Sequence, residues 1–179
     1  MGSRGAILIA AASGRALAAS ARRAGYVPLV VDYFADEDTV AIAGACVRLS
    51  NGLVAGMQAD EVLPALETLG AAHDLVGIVC GTGFEDRPEL LARISEKWKL
   101  IGNDASTVAR TKDPLAFEQI CRACEVPHPP ITLGDPPDRR DWLKKRSGGA
   151  GGMHITSTSA NRRRVFFRRG LLLPAPRLG

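Results

Sequence analysis

Short, continuous apolar runs alternate with helical segments over residues 6–103, and this alternation constrains the fold more than any other feature of the chain. Five runs predict strands, at residues 6–11, 27–31, 46–49, 75–80 and 100–103. Helical patterns lie between most of them, at residues 14–24, 59–69 and 87–98. Ser13 is expected to cap the first of these helices, and Gly25 is expected to end it. This alternation predicts an α/β fold, a Rossmann-like parallel sheet with helices on both faces and right-handed crossovers.

The composition is typical of an intracellular globular domain. Hydrophobic residues make up 46% of the 179 residues and aromatic residues only 5%, which favours tight packing of helices on a sheet. The four cysteines lack the spacing of a disulfide framework, so we expect reduced thiols and a cytoplasmic location. Arginines interrupt the N-terminal apolar run, which therefore fits a strand and helix better than a signal peptide. No run approaches the ~20 apolar residues of a membrane span.

The net charge of +4 is unevenly distributed. Residues 1–134 contain 12 basic and 16 acidic residues (net −4), whereas residues 135–179 contain 11 basic and 3 acidic residues (net +8). Residues 159–179 are basic and show no sustained periodicity, so we expect a disordered tail there. A basic tail can also bind nucleic acid, but only Phe166 and Phe167 interleave aromatic rings with these charges. A nucleic-acid partner is therefore not expected.

A glycine-rich loop follows a short strand-like run that carries Lys144 and Lys145. The loop consists of Ser147, Gly148, Gly149, Ala150, Gly151 and Gly152, and its four glycines allow positive φ angles and close approach of the backbone to a ligand. Backbone N–H groups in such a loop can hold phosphate oxygens, and a neighbouring lysine adds a compact positive charge. The alternative is a flexible linker, which the lysines and the alternating apolar residues on both sides disfavour.

Acidic residues near the second strand each allow two interpretations. Asp32 ends the strand, where a dinucleotide-binding protein would hold a ribose, but the first loop lacks the glycine fingerprint. A polar strand end is favoured for Asp32. The cluster Asp36-Glu37-Asp38 could hold a metal ion, although a solvated loop that caps a short helix is favoured.

Two further motifs are compatible with a binding site. Gly81, Thr82 and Gly83 follow a buried strand, where open α/β sheets bind ligands, so they form a candidate substrate loop; a tight turn is an equal alternative. Cys121 and Cys124, together with His128, could form part of a zinc site. A fourth ligand with suitable spacing is missing from the sequence, so two buried cysteines on one helix face are favoured.

The order of these parts resembles the start of an ATP-grasp enzyme. A strand–helix domain ends in Leu-Ile-Gly-Asn at residues 100–103, and Thr-Lys112-Asp-Pro then begins a helix that leads to Val-Pro-His-Pro-Pro at residues 126–130. Lys145 and the glycine loop come next. More narrowly, the chain resembles the predicted ATP-dependent carboligases of methylotrophic bacteria, which have been associated with one-carbon metabolism that uses methanopterin-type cofactors.

The resemblance implies ATP as a ligand, with Lys112 and Lys145 contacting its phosphates and the glycine loop closing over them. It also implies a pre-ATP-grasp domain over residues 1–103, followed by part of the nucleotide lobe over residues 104–158. ATP-grasp enzymes bind Mg²⁺ through acidic and asparagine residues well after the glycine loop, but residues 156–179 contain no Asp or Glu. We therefore expect an incomplete α+β small lobe, as in a truncated or frameshifted gene product.

The sequence thus predicts a fragment of an ATP-grasp ligase, which would activate a carboxylate as an acyl phosphate for ligation to an amine or another nucleophile. The fragment is expected to be inactive alone. The alternative is a non-catalytic module that binds a nucleotide or phosphate. The sequence names neither the carboxylate nor the catalytic residues. A nucleotide is the expected partner, no membrane partner is expected, and a homodimer stays open.

Overall fold

The computed structural model describes residues 4–51, 56–134, 142–149 and 164–168. The chain divides into two compact units, Met1–Val108 and Ala109–Gly179. The division falls inside a helix, so the predicted boundary after residue 103 stays a prediction. Each unit has its own sheet.

A four-stranded parallel sheet forms the centre of the first unit. Its strands are β1 (Ala6–Ala10), β2 (Val27–Asp32), β3 (Ala45–Arg48) and β4 (Leu75–Cys80). They are arranged in the order β3-β2-β1-β4, so β1 lies between β2 and β4. Every residue of β1 is buried, as expected when helices cover both faces of a parallel sheet. The predicted parallel α/β fold is confirmed.

Among the described residues, helices cover the two faces of this sheet: α1 (Arg15–Arg23), α2 (Glu37–Ile42), α3 (Ala59–Gly70) and α4 (Pro88–Lys97). Successive residues of a strand point to opposite faces. Ile9 accordingly packs with Ala18 of α1 in a small cluster, while Leu8 belongs to the main core with Leu66 of α3 and Ile94 of α4. Alternation within a single strand thus supplies both layers of the core.

Two details of the first unit differ from the sequence predictions. The run at residues 100–103 forms only one parallel bridge, between Ile78 and Leu100, because Gly102 and Asn103 have low strand propensity and do not extend the pairing. Helix α1 begins after Gly14 without a side-chain cap, so the prediction that Ser13 caps it is wrong. Gly25 follows the end of α1 with φ +87°, which confirms its predicted role.

The described residues of the second unit form the end of one helix, a second helix and three antiparallel strands. Helix α5 (Ala105–Lys112) crosses the boundary between the units, and α6 (Pro114–Ala123) follows it. Strands β5 (Ile131–Thr132), β6 (Trp142–Arg146) and β7 (Arg164–Arg168) have the order β5-β7-β6. Strand β7 therefore pairs on both sides, with β5 and with β6.

Strand β7 lies inside the region predicted to be a disordered tail. That prediction is wrong for Arg164–Arg168, which pair with residues far away in the sequence. The physical reason is that Val165, Phe166 and Phe167 are β-branched or aromatic and favour a strand, an effect that the argument from charge overlooked. The predicted tail residues 159–163 and 169–179 lie outside the described residues.

Candidate functional site

The carboxyl ends of β1 and β4 lie side by side at the point where the strand order of the sheet changes direction. From β1 the chain passes through α1 to β2 on one side, whereas β4 lies on the other side of β1. Open α/β sheets bind ligands in the crevice outside the strands at such a point. The loops that follow the two strands are joined there, since the amide of Ala12 donates to the carbonyl of Thr82 at 2.7 Å. The candidate substrate loop therefore lies at the switch point of the sheet.

The candidate substrate loop is held by its own protein contacts. The amide of Gly81 donates to the carbonyl of Ala10 at 2.8 Å, and the amide of Gly83 donates to the carboxylate of Glu85 at 2.7 Å. A Cβ atom at Gly81 would lie only 2.8 Å from the Cβ of Ala11. These contacts support a tight turn, and the exposed Thr82 is the loop side chain most open to solvent. Binding of substrate by the loop stays a prediction.

Sequence reasoning overlooked Glu85. The sequence could have indicated this contact, because Glu85 follows Gly83 by two residues, a spacing at which a carboxylate can accept a hydrogen bond from the nearby backbone amide.

Asp32 is a buried carboxylate that binds three backbone amides. Its Oδ2 accepts from the amide of Gly14 at 2.8 Å, and its Oδ1 accepts from the amides of Phe34 at 3.0 Å and Ala35 at 2.7 Å. The side chain thus joins the start of α1 to the turn after β2. Because both carboxylate oxygens already accept hydrogen bonds from backbone amides, the structure supports a polar strand end rather than a ribose site for Asp32.

The acidic cluster after β2 caps a helix and pairs with an arginine. Asp36 accepts from the amide of Thr39 at 2.8 Å at the start of α2, and this hydrogen bond lowers the pKa of the Asp36 carboxyl. Asp38 pairs with Arg15 at 3.2 Å. In the parts of the chain that the structure describes, no group of three or more His, Cys, Asp or Glu residues is arranged to hold a metal ion.

The two cysteines near the end of α6 have different environments. Cys121 is buried on the helix, whereas Cys124 is exposed. The prediction of two buried cysteines is therefore wrong for Cys124, because α6 ends at Ala123 and the next residue leaves the helix face. The ring of His128 packs edge-on against Phe117 with 5.7 Å between ring centroids.

The segments predicted to bind phosphate lie together in the second unit. Lys112 ends α5, and Lys145 lies on β6 just before the glycine loop. The hydroxyl of Ser147 donates to the backbone carbonyl of Lys112 at 3.3 Å, although 35 positions separate them in the sequence. The start of the glycine loop therefore lies beside the end of α5. Sequence reasoning missed this contact, because neither residue carries a local signal for it.

One residue in the described part of the glycine loop has a positive φ angle. Gly148 has a φ of +73°, which lies in the left-handed region that residues other than glycine rarely adopt. Lys112, Lys145 and Gly149 are half-buried, while Ser147 is exposed. The predicted contacts of Gly151 and Gly152 lie outside the described residues, as does the side chain of Lys144.

Among the described residues, none of the helices combines the length and the hydropathy that a membrane span requires. The predicted cytoplasmic location and the homodimer stay predictions.

Comparisons with known proteins relate the chain to other proteins through structure alone. No known family profile matches the sequence, and no curated protein matches it. N5-carboxyaminoimidazole synthetase from Staphylococcus aureus, complexed with ADP, is similar in structure, with 17% identity, a TM-score of 0.62, and coverage of 94% of this chain and 48% of that one. The L-amino acid ligase from Bacillus licheniformis is similar too, with 12% identity, a TM-score of 0.61, and coverage of 95% and 45%.

A third similar structure is the biotin carboxylase domain of a single-chain bacterial carboxylase, with 17% identity and a TM-score of 0.54. That match covers 73% of this chain and 31% of the carboxylase chain. The chain thus spans about half the length of the first two structures and less of the third. The narrower resemblance to carboligases of methylotrophic bacteria stays a prediction. At the level of fold, this chain resembles the N-terminal portion of these enzymes.

Proposed function

We propose that this chain is the leading part of an ATP-grasp ligase, which binds ATP and activates a carboxylate as an acyl phosphate. The observation that carries the proposal is the hydrogen bond from Ser147 to the carbonyl of Lys112, because it brings together two segments that are each predicted to bind phosphate. The similarity in fold to a synthetase complexed with ADP supports a nucleotide as the ligand.

The residues present fit the phosphates of a nucleotide. Lys112 and Lys145 are half-buried, so their charges act in a medium less screened than bulk water. The positive φ of Gly148 allows the amides of Gly148 and Gly149 to turn toward an anion. Bound ATP would supply the phosphoryl group for the carboxylate. The residues of this chain would bind and orient its phosphates and offset their negative charge.

In the described parts of the chain, no group of three or more His, Cys, Asp or Glu residues is arranged to hold a metal ion, and no Asp or Glu follows Ile155 in the sequence. Phosphoryl transfer relies strongly on metal ions that bridge phosphate oxygens, so the 179-residue chain by itself should bind ATP weakly and should not turn it over.

Calorimetry with ATP tests the binding proposal. Lys145→Ala should weaken binding by about 1–3 kcal/mol, the scale of a lost charge-assisted hydrogen bond. Lys99→Ala is the matched control, because Lys99 is an exposed lysine in the first unit, outside the proposed site. Equal affinities of the wild type and Lys145→Ala would remove Lys145 from the site.

An ADP-release assay separates an incomplete ligase from a working enzyme. Purified chain would be incubated with ATP, magnesium and a panel of amino acids and other carboxylates. Absence of turnover together with measurable ATP binding is the expected result, and it is also what a non-catalytic nucleotide-binding module would give. Steady, substrate-dependent ADP production that disappears in Lys145→Ala would show that the chain is active alone.

The candidate substrate loop calls for a different measurement, steady-state kinetics of a form of the protein that turns over its substrates. Thr82 is its exposed side chain, so Thr82→Ala should raise the KM for the carboxylate or the nucleophile while ATP affinity stays unchanged. A loss of ATP affinity in this variant would argue against a separate substrate loop.

A further inference from the structure

The chain turns sharply between α5 and α6, and this turn leaves the carbonyl of Lys112 without its usual helical donor. In a continuous helix that carbonyl would accept from the amide of Ala116, four residues later. Here the amide of Ala116 donates instead to the carboxylate of Asp113 at 2.7 Å, because Asp113 is the N-cap of α6. Pro114, which follows, has no N–H group.

Ser147 supplies the missing donor. Its hydroxyl lies 3.3 Å from the carbonyl oxygen of Lys112, and this contact joins the end of α5 to the first residue of the glycine loop. The contact is exposed to solvent, so the hydroxyl takes a place at this carbonyl that water could otherwise take, and it thereby links the start of the glycine loop to the helix end.

The same contact brings together the two segments that carry the lysines. Lys145 lies on β6, two residues before Ser147, which follows the last residue of that strand, Arg146. Bonding of Ser147 to Lys112 therefore brings the segment of Lys145 to the end of α5. The contact acts through the backbone of Lys112, which leaves the ammonium group of that residue available for other interactions.

We propose that Ser147 is a positioning residue, whose hydroxyl fastens the start of the glycine loop, residues 147–149, to the end of α5 and does not bind the nucleotide itself. This inference rests on the proposed function, since it assigns a role within the proposed phosphate site. It differs from direct phosphate binding by the serine hydroxyl, because the hydroxyl proton is directed to a protein carbonyl.

ATP affinity measured by calorimetry gives the first test. Ser147→Ala should weaken ATP binding about three- to tenfold, the scale of one lost hydrogen bond, and Ser147→Thr, which keeps the hydroxyl, should stay within about twofold of the wild type. Because the hydroxyl acts on a protein carbonyl, the loss of affinity should be accompanied by faster exchange of the loop amides in the absence of nucleotide. Loss of affinity with unchanged exchange would mean direct phosphate binding and would overturn the proposal.

Hydrogen exchange provides a measurement without a nucleotide. The amides of Gly148 and Gly149 should exchange at least threefold faster in Ser147→Ala than in the wild type, and Ser147→Thr should restore slow exchange. Ser95→Ala is the matched control, because Ser95 also donates its hydroxyl to a backbone carbonyl, that of Ala92 at 2.7 Å, but within α4. The control should leave exchange of the loop unchanged.

The two measurements separate failure of this inference from failure of the proposed function. If the wild type does not bind ATP, the proposed function is wrong, and exchange of the loop amides still decides whether Ser147 fastens the loop. If the wild type binds ATP but Ser147→Ala changes neither affinity nor exchange, the positioning role is wrong and the proposed function stands.

Discussion

Replacement of Asp32 by alanine should destabilise the first unit by about 3–5 kcal/mol. The carboxylate is fully buried and binds three amides, and alanine leaves all three without their acceptor. The amide of Gly14 is the buried one and should cost about 1–3 kcal/mol when unsatisfied. The amides of Phe34 and Ala35 are partly buried and can bond water, so each should cost about 1 kcal/mol.

Asp32→Asn separates the effect of charge from that of geometry. The amide oxygen can still accept from Phe34 and Ala35, but the NH₂ group would face the N–H of Gly14, which is also a donor. We expect a loss of about 1–3 kcal/mol for this variant, smaller than for alanine. Glu96→Ala is the control, because Glu96 is an exposed carboxylate on α4 and its replacement should be nearly neutral.

Urea denaturation followed by tryptophan fluorescence measures these differences. The sequence has two tryptophans, and Trp98 packs against the core of the first unit. In a Trp142→Phe background the signal reports on that unit alone, which matters because a chain with two compact units need not unfold in a single step. If Asp32→Ala and Glu96→Ala differ by less than about 1 kcal/mol, the carboxylate does not hold these amides, and the reasoning is wrong.

Three further outcomes are expected. Gly81→Ala should destabilise the first unit by about 1–3 kcal/mol in the same urea assay, because the new Cβ would lie 2.8 Å from that of Ala11; an unchanged midpoint would contradict the close approach. The amide of Thr107 and the hydroxyl of Ser106 donate hydrogen bonds to Asp104 and lower the pKa of its carboxyl. The ionised carboxylate therefore stabilises the fold when the pH is above about 3.9, the ordinary pKa of aspartate, and this contribution is lost as the pH falls below that value. Thermal denaturation should therefore show that the wild type loses more stability than Asp104→Asn between pH 5 and pH 3, whereas parallel losses would refute this role. Burial raises the pKa of Cys80 to about 12 and that of Cys46 to about 11, and Cys124 is the exposed cysteine, so Cys124→Ser should abolish the fastest phase of thiol labelling at pH 8. Persistence of that phase would place the reactive thiol elsewhere.

Local patterns in the sequence predicted the elements of the first unit well, since each pattern reflects the environment of one segment. The run at residues 75–80 becomes β4 with the same bounds, Leu75–Cys80, because a strand covered on both faces needs apolar residues at every position. Gly25 likewise marks the end of α1, because the residue there adopts a positive φ. The predictions failed at the start of α1, where Ser13 is not the cap, and at residues 100–103, where the predicted strand forms only one bridge to β4.

The candidate site depends more strongly on contacts between distant residues. The sequence by itself determined that a glycine-rich loop follows a strand with Lys145, and that Lys112 lies just before the proline that begins α6. Only the tertiary structure decided that Ser147 binds the carbonyl of Lys112, that Asp32 closes the start of α1, and that β7 pairs with β5 and β6. The physical reason is that a hydrogen bond forms between whichever groups folding brings together, and no local periodicity records the partner of a hydroxyl, a buried carboxylate or a strand edge.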